Sequence, residues 1–136
     1  MSSTSNQELI NRAEKVINPH RSEDGRLHGD VGPALIGRNG KLYLGTCVDT
    51  ASWGLCAERS AIAAMITDGE YKIDKIVAVW RDGATQVLHV IPPCGICREF
   101  IRQIDPQNLD TEIVLGSDSS KKLRDLLPFH QWPGPE

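Results

Sequence analysis

The chain has 136 residues, 40% of them hydrophobic and 24% charged, which is enough for one domain with a real core and too little for two. Its net charge of -3 offers no basic field to a nucleic-acid backbone, so a small or weakly charged partner is the expectation. No apolar run approaches a membrane span and the opening MSSTSNQELINR has no signal-peptide core, which makes the cytoplasm the expected compartment and excludes a membrane partner.

Thr4 or Ser5 can cap a first helix whose stripe of Leu9, Ile10, Ala13, Val16 and Ile17 recurs at helical spacing and stops near Asn18-Pro19. The polar, glycine-punctuated segment 20–30 reads as a loop. VGPALIG and KLYLGTCVD flank Asn39-Gly40, the favoured pair for a tight hairpin turn. A helix then runs from Cys56 to Thr67 and breaks at Asp68-Gly69.

The continuous apolar run KIVAVW, 75–80, suits a strand covered on both faces. VLHVIPPCG leads into a short helix at about 95–104, closed by Asp105-Pro106. TEIVLGS reads as another central strand, SKKLRDLLP as a last short helix stopped by Pro128, and the tail as irregular. Strands and helices alternate after the hairpin. The expectation is a single α/β domain over residues 1–136, a three-layer α/β/α sandwich on a mixed five-stranded sheet.

The chemistry lies in the cysteines. In a reducing compartment, Cys47, Cys56, Cys94 and Cys97 point to a metal or to redox function before disulfides. Cys94 and Cys97 sit at the first turn of one helix and Cys56 at the head of another, where unsatisfied N–H groups favour thiolate. Three thiolates from two helix mouths suit a soft tetrahedral cation with a fourth position left for water, the layout of a catalytic zinc. A closed structural site would need Cys47 or a histidine as fourth ligand; Cys47, in a strand pattern, reads more simply as a small buried residue. The four histidines lie outside any metal spacing.

Glu58 stands beside Cys56, where a carboxylate can take and return the proton of a metal-activated water. Arg59, three residues after Cys56 on the same helical face, can donate to the thiolates and offset their excess charge. Arg98 is open between this role and a surface charge. Trp53 and Trp132 read as core or interface residues, or as walls of a pocket.

Cys56-Ala57-Glu58 followed by Pro93-Cys94-Gly95-Ile96-Cys97 resembles the zinc deaminase signature in its three-cysteine form. CAERSAI, PPCGICRE and RDLLP are similar to the small cytidine deaminase family, which includes blasticidin-S deaminases, over about Val31 to Leu127. The resemblance implies a cytidine deaminase-like fold, usually as a homotetramer, and hydrolytic release of ammonia from a nucleoside-like substrate. Cys56, Cys94 and Cys97 would hold Zn2+, Glu58 would shuttle the proton, and the N–H of Ala57 would meet the polar edge of the pyrimidine.

The family's sugar-binding strand reads Gly-x-Asn-x-Glu, and here it reads Gly45-Thr46-Cys47-Val48-Asp49. Asp49 can still accept a hydroxyl, whereas Cys47 replaces a two-way amide poorly. The usual ring-packing aromatic aligns with Gly29. By prevalence in the family, cytidine or deoxycytidine leads, with a blasticidin-S-type or other modified amino-heterocycle as alternative. A catalytically silent zinc-stabilised binding protein and a redox Cys94–Cys97 pair are the rival classes.

Overall fold

The computed structural model describes residues 4–131, so Trp132 lies outside the described residues. In chain order the elements are α1 (Asn6–Glu14), β1 (His20–Arg21), β2 (Leu27–His28), β3 (Val31–Gly37), β4 (Leu42–Leu44) and α2 (Ala57–Thr67). They continue with β5 (Ile73–Arg81), β6 (Leu88–Ile91), α3 (Gly95–Ile104), a 3-10 turn (Pro106–Asp110), β7 (Glu112–Gly116), β8 (Ser119–Lys122) and α4 (Leu123–Leu126).

Ser5 caps α1, its Oγ accepting from the Glu8 N–H at 3.1 Å, and Leu9, Ile10 and Ala13 form the buried stripe. The helix stops at Glu14, short of Asn18-Pro19, and β1 pairs with β2 within the segment read as a loop. The β3–β4 hairpin turns through four residues, with Gly40 at φ 81°, a value that favours glycine. β4 ends at Leu44 because Gly45 lies directly on α2. A Cβ there would meet Ser60 Oγ at 2.4 Å and the Ala61 nitrogen at 2.7 Å.

The mixed sheet runs β4-β3-β5-β7-β8, antiparallel except for the β5–β7 pair, and β6 joins it along β5. Alternation along the central strands makes two cores. Leu35, Ile73, Ile76 and Ile113 face α2, α3 and α4, with Ile62, Met65, Ile101 and Leu123 between them. Ala34, Ile36, Val77, Val79 and Val114 face the opposite way, onto Leu9, Ile10 and Ala13 of α1. The layers are therefore α/β/α, and KIVAVW is covered on both faces as its composition implies.

The sheet holds six strands where the pattern gave five. The additional one, β8, is the polar stretch SSKK, whose residues are mostly exposed at the sheet edge, and only Leu123–Leu126 of the expected last helix is helical. Lysines on an exposed edge discourage pairing with a second chain.

One feature of β5 positions the site. Its residues Ala78–Arg81 pair with β6, and Lys75–Ile76, on the same side, pair with β7. A chain running down β6 thus meets the end of β7 in mid-sheet and has to leave. Pro92 and Pro93, which lack a backbone donor, carry it out directly after Ile91, and α3 begins two residues later.

Candidate active site

The exit from β6 brings Cys94 to the N-cap of α3, and Cys56 holds the N-cap of α2. The two sulfurs meet between the two helix ends. Cys97, on the first turn of α3, is fully buried. The three Sγ atoms lie within 4.8 Å of one another, and Cys56 and Cys94 are 3.9 Å apart. That is far beyond a disulfide's roughly 2.05 Å. It is close to the ~3.8 Å between two corners of a tetrahedron with metal–sulfur bonds of about 2.3 Å. Cys47 is not part of the group; its thiol donates to Asp30 Oδ1 at 3.0 Å.

The protonation chemistry of the three thiols is unequal. Burial raises the Cys94 pKa, but hydrogen bonds from the Cys97 N–H, from the neighbouring thiols and from the Ile96 N–H outweigh it, holding that thiol below its ordinary range. Cys97 is pushed strongly up, first by burial and then by the charges of Glu58, Cys56 and Cys94. A sulfur cluster of this kind cannot become fully anionic by itself, and a divalent cation at its centre removes the penalty. The donor set thus fits zinc: three sulfurs from one protein and room for a fourth, non-protein ligand.

Arg59 serves the same cluster. Its Nη2 donates to Cys56 Sγ at 3.7 Å and its guanidinium carbon stands 6.0 Å from the centroid of the Phe100 ring. The Cys56 contact raises its pKa further, so it stays cationic. Its Nε is buried with no hydrogen-bond partner among the described residues, which leaves packing and charge to fix the guanidinium's orientation. Three thiolates, a divalent ion and one guanidinium sum to zero. Phe100, beneath that guanidinium, is a site residue that the cysteine spacing gave no means of finding.

Glu58, on the first turn of α2, is only 6% exposed. Burial raises its pKa above the usual carboxylate value, opposed by its own backbone N–H and by the charge of Arg59. It lines a cavity of about 550 Å3 together with Cys56, Ala57, Cys94, Cys47 and Asp49. Two of the three expected metal ligands, the proton-carrying residue and the substrate-contacting residues therefore share one chamber, and the buried Cys97 sulfur lies within 4.8 Å of the other two.

Asp30 completes the wall by accepting from Cys47. Burial, and then this bond to Asp30, push the Cys47 thiol up, so it remains a weak S–H donor. The Asp49 N–H donates to His28 Nδ1 at 3.0 Å, which ties the segment after Gly45 to the small β1–β2 hairpin. Gly29 is buried at φ 77°, and a Cβ there would meet the Asn18 carbonyl oxygen at 2.4 Å, so no aromatic side chain fits that backbone. Trp53 is 94% exposed at the cavity rim with φ 76°. Arg98 acts structurally. Its Nε donates to the Pro93 carbonyl at 2.8 Å and its Nη1 to the Leu126 carbonyl at 2.9 Å, bracing the turn that presents Cys94.

The sequence and the fold agree with known proteins. The family model described as the cytidine and deoxycytidylate deaminase zinc-binding region matches residues 3–112. A cytidine deaminase from Halalkalibacterium halodurans is 33% identical over 89 residues, 64% of this chain and 62% of that protein, so the match spans less than two thirds of its length. A blasticidin-S deaminase from Bacillus cereus is 32% identical over 112 residues, 79% of each chain. The cytidine deaminase structure from Mycobacterium tuberculosis superposes with a TM-score of 0.70 at 25% identity, covering 90% of this chain and 94% of that one. The cytidine deaminase from Bacillus anthracis shares the fold with a TM-score of 0.72 at 23% identity, over 92% and 88% of the two chains.

Proposed function

The chain belongs to the cytidine and deoxycytidylate deaminase family, and on that premise we propose that it is a zinc-dependent aminohydrolase. It would convert a cytidine- or deoxycytidine-like nucleoside and water to the uridine form and ammonia. The observation that carries this reading is one cavity lined by the buried carboxylate of Glu58 and by Cys56 and Cys94, two sulfurs of a three-sulfur cluster.

Cys56, Cys94 and Cys97 would hold the ion, with Arg59 as their positioning partner. When bound, zinc supplies the Lewis acidity that lowers the pKa of a water from 15.7 to about 7. Glu58 would accept a proton from the attacking water as the water oxygen bonds to the amine-bearing ring carbon, and deliver it to the ring nitrogen. It would then pass the water's second proton to the amine as the C–N bond breaks and ammonia leaves. Burial, which raises its pKa, makes Glu58 a better proton acceptor than an exposed carboxylate. The Ala57 N–H binds the polar edge of the pyrimidine, and Cys47 and Asp49 face the sugar side. Burial of Glu58 keeps competing water away from the proton path.

We read the chain as one domain acting in the cytoplasm as a homotetramer. Two features support assembly: exposed Ala63 and Ala64 on the outer side of α2, and the exposed side chains of Trp53 and Ile96 near the cavity. No helix among the described residues is long and apolar enough to cross a membrane. A blasticidin-S-type or other modified amino-heterocycle is the second reading, favoured by Cys47 and Asp49 in place of the amide and longer acid of the family's sugar-binding strand.

Two measurements test the proposal together. Metal analysis is expected to give one zinc per chain, and an ammonia-release screen over cytidine, deoxycytidine, cytosine, blasticidin S and related aminopurines is expected to find a substrate. Zinc without ammonia from any of them would leave the silent binding class; a reversible Cys94–Cys97 disulfide without metal would leave the redox class. Light scattering on the eluted protein decides the tetramer.

A further inference from the structure

Resting on the deaminase reading, we infer that the cavity selects an amino-heterocycle carrying a positive charge on or in place of its sugar. The charge distribution of the cavity carries the inference. Among the described residues Arg59 is the one basic side chain lining it, and its guanidinium is turned onto the sulfur of Cys56. With zinc bound, sulfurs, ion and guanidinium would balance, which leaves Glu58 as the remaining acid at the metal end. The rest of the described wall holds two further carboxylates, Asp30 and Asp49, and no cation.

Neither of those carboxylates is satisfied by the described residues. Asp30 receives the weak S–H of Cys47, leaving most of its acceptor capacity unused. The Asp49 carboxylate has no hydrogen bond or ion pair among the described residues, since only its backbone N–H is engaged. Residues 47 and 49 are alternate positions of an extended segment pinned by the Val48–Leu55 bridge, so they present side chains to the same side. Asp30, bonded to Cys47, and Asp49, two residues further along the segment, therefore line the same stretch of wall. A neutral ribose wants donors as well as acceptors there; this corner offers acceptors almost alone, which suits an ammonium or guanidinium group.

Trp53 adds the matching feature. Its left-handed backbone and that of Gly54, φ 76° and 55°, leave the indole standing free at the rim of the same cavity. An indole face attracts a cation and has nothing to offer an anion. A phosphate in this position would instead be opposed by two carboxylates.

The test is a charge series on one nucleoside: 5′-amino-5′-deoxycytidine, cytidine and cytidine 5′-monophosphate. Binding is measured by calorimetry to the zinc-loaded Glu58→Gln protein and turnover by ammonia release from the zinc-loaded wild type. The ammonium compound should bind about tenfold or more tighter than cytidine, the monophosphate should bind weakest, and added sodium chloride should compress the series. Asp30→Asn keeps an acceptor for the Cys47 thiol while removing the charge, so the Asp30→Asn, Asp49→Asn double variant should bring the ammonium-to-cytidine ratio close to one. If that variant does not fold, the wild-type series and its salt dependence still decide. A flat or inverted series with cytidine turned over would overturn the charge inference alone. Failure of all three compounds to bind or release ammonia would overturn this inference and the deaminase reading together.

Discussion

Cys56 and Cys94 stand 38 residues apart in sequence, yet their sulfurs are 3.9 Å apart, each at the mouth of a separate helix. Nothing covalent holds them there. The contact depends on α2 lying over β3 and β4 while α3 leaves the sheet beside the end of β6. A metal bound to both sulfurs therefore ties two halves of the chain, and its loss is felt by the whole fold.

Chelating the metal should lower the melting temperature, with recovery on adding zinc back. With free zinc about a thousandfold above its dissociation constant, the stabilisation is on the order of 4 kcal/mol. Scanning calorimetry with and without chelator checks this; an unchanged transition would mean that the three sulfurs do not share an ion.

Glu58→Gln should keep one zinc per chain and lower ammonia release by about 10²–10⁴-fold. The amide fills the same buried volume and cannot carry the proton. Retained turnover with bound zinc would remove Glu58 from its role.

Arg59→Ala should weaken zinc affinity by about 10–100-fold, read by competition with a chromophoric chelator. Arg59→Lys should recover part of that loss, since it restores the charge without the planar fork over Phe100. Equal affinity in all three proteins would show that the guanidinium does not tune the sulfurs.

Asn108 is fully buried, its Oδ1 accepting from the Ile73 N–H at 2.8 Å and its Nδ2 donating to the Tyr71 and Ile101 carbonyls at 3.0 and 3.2 Å. Asn108→Ala strands these three groups and should cost about 2–4 kcal/mol, with zinc stoichiometry unchanged. Denaturant titration measures the loss.

The acid limb of stability should belong partly to the junction of the hairpin with α2. Hydrogen bonds from the N–H groups of Lys72, Tyr71 and Asn39 together outweigh the opposing effect of burial and hold the Glu70 pKa below its ordinary 4.5. The Tyr43 hydroxyl and Lys41 hold Asp68 below 3.8. A carboxyl with a depressed folded pKa stabilises fully above its unfolded value and ceases to do so as pH falls through the folded one. Stability should therefore fall as pH drops below about 4.5, and the Asp68→Asn, Glu70→Gln double variant should flatten that fall in unfolding titrations at successive pH values.

The metal centre was legible because its information is local: three thiols at two helix starts, with Glu58 and Arg59 fixed by position beside Cys56. The central strands were legible for the same reason, as runs such as KIVAVW reveal burial on both faces. What stayed hidden depends on long-range pairing. The bond from Cys47 to Asp30, 17 residues away, is one such pairing. β8 carries no apolar alternation, since an edge strand facing water does not need it. Asn108 lies in a polar stretch, PQNLD, that reads like any surface turn until its burial between α3 and β5 is seen. The shortened β4 reflects the single atom's width left between Gly45 and α2.

The shared edge of β5 makes the length of β6 a ruler. Because β6 can run only until β7 takes over that edge, the number of its residues sets how far along the sheet Cys94 emerges. Inserting two residues while keeping the register of its start would displace that thiol by about 6.6 Å, more than the present gap to Cys56. Natural variation in the loop at 82–87 can be accommodated freely, whereas variation between Leu88 and Pro93 has to preserve count as well as character.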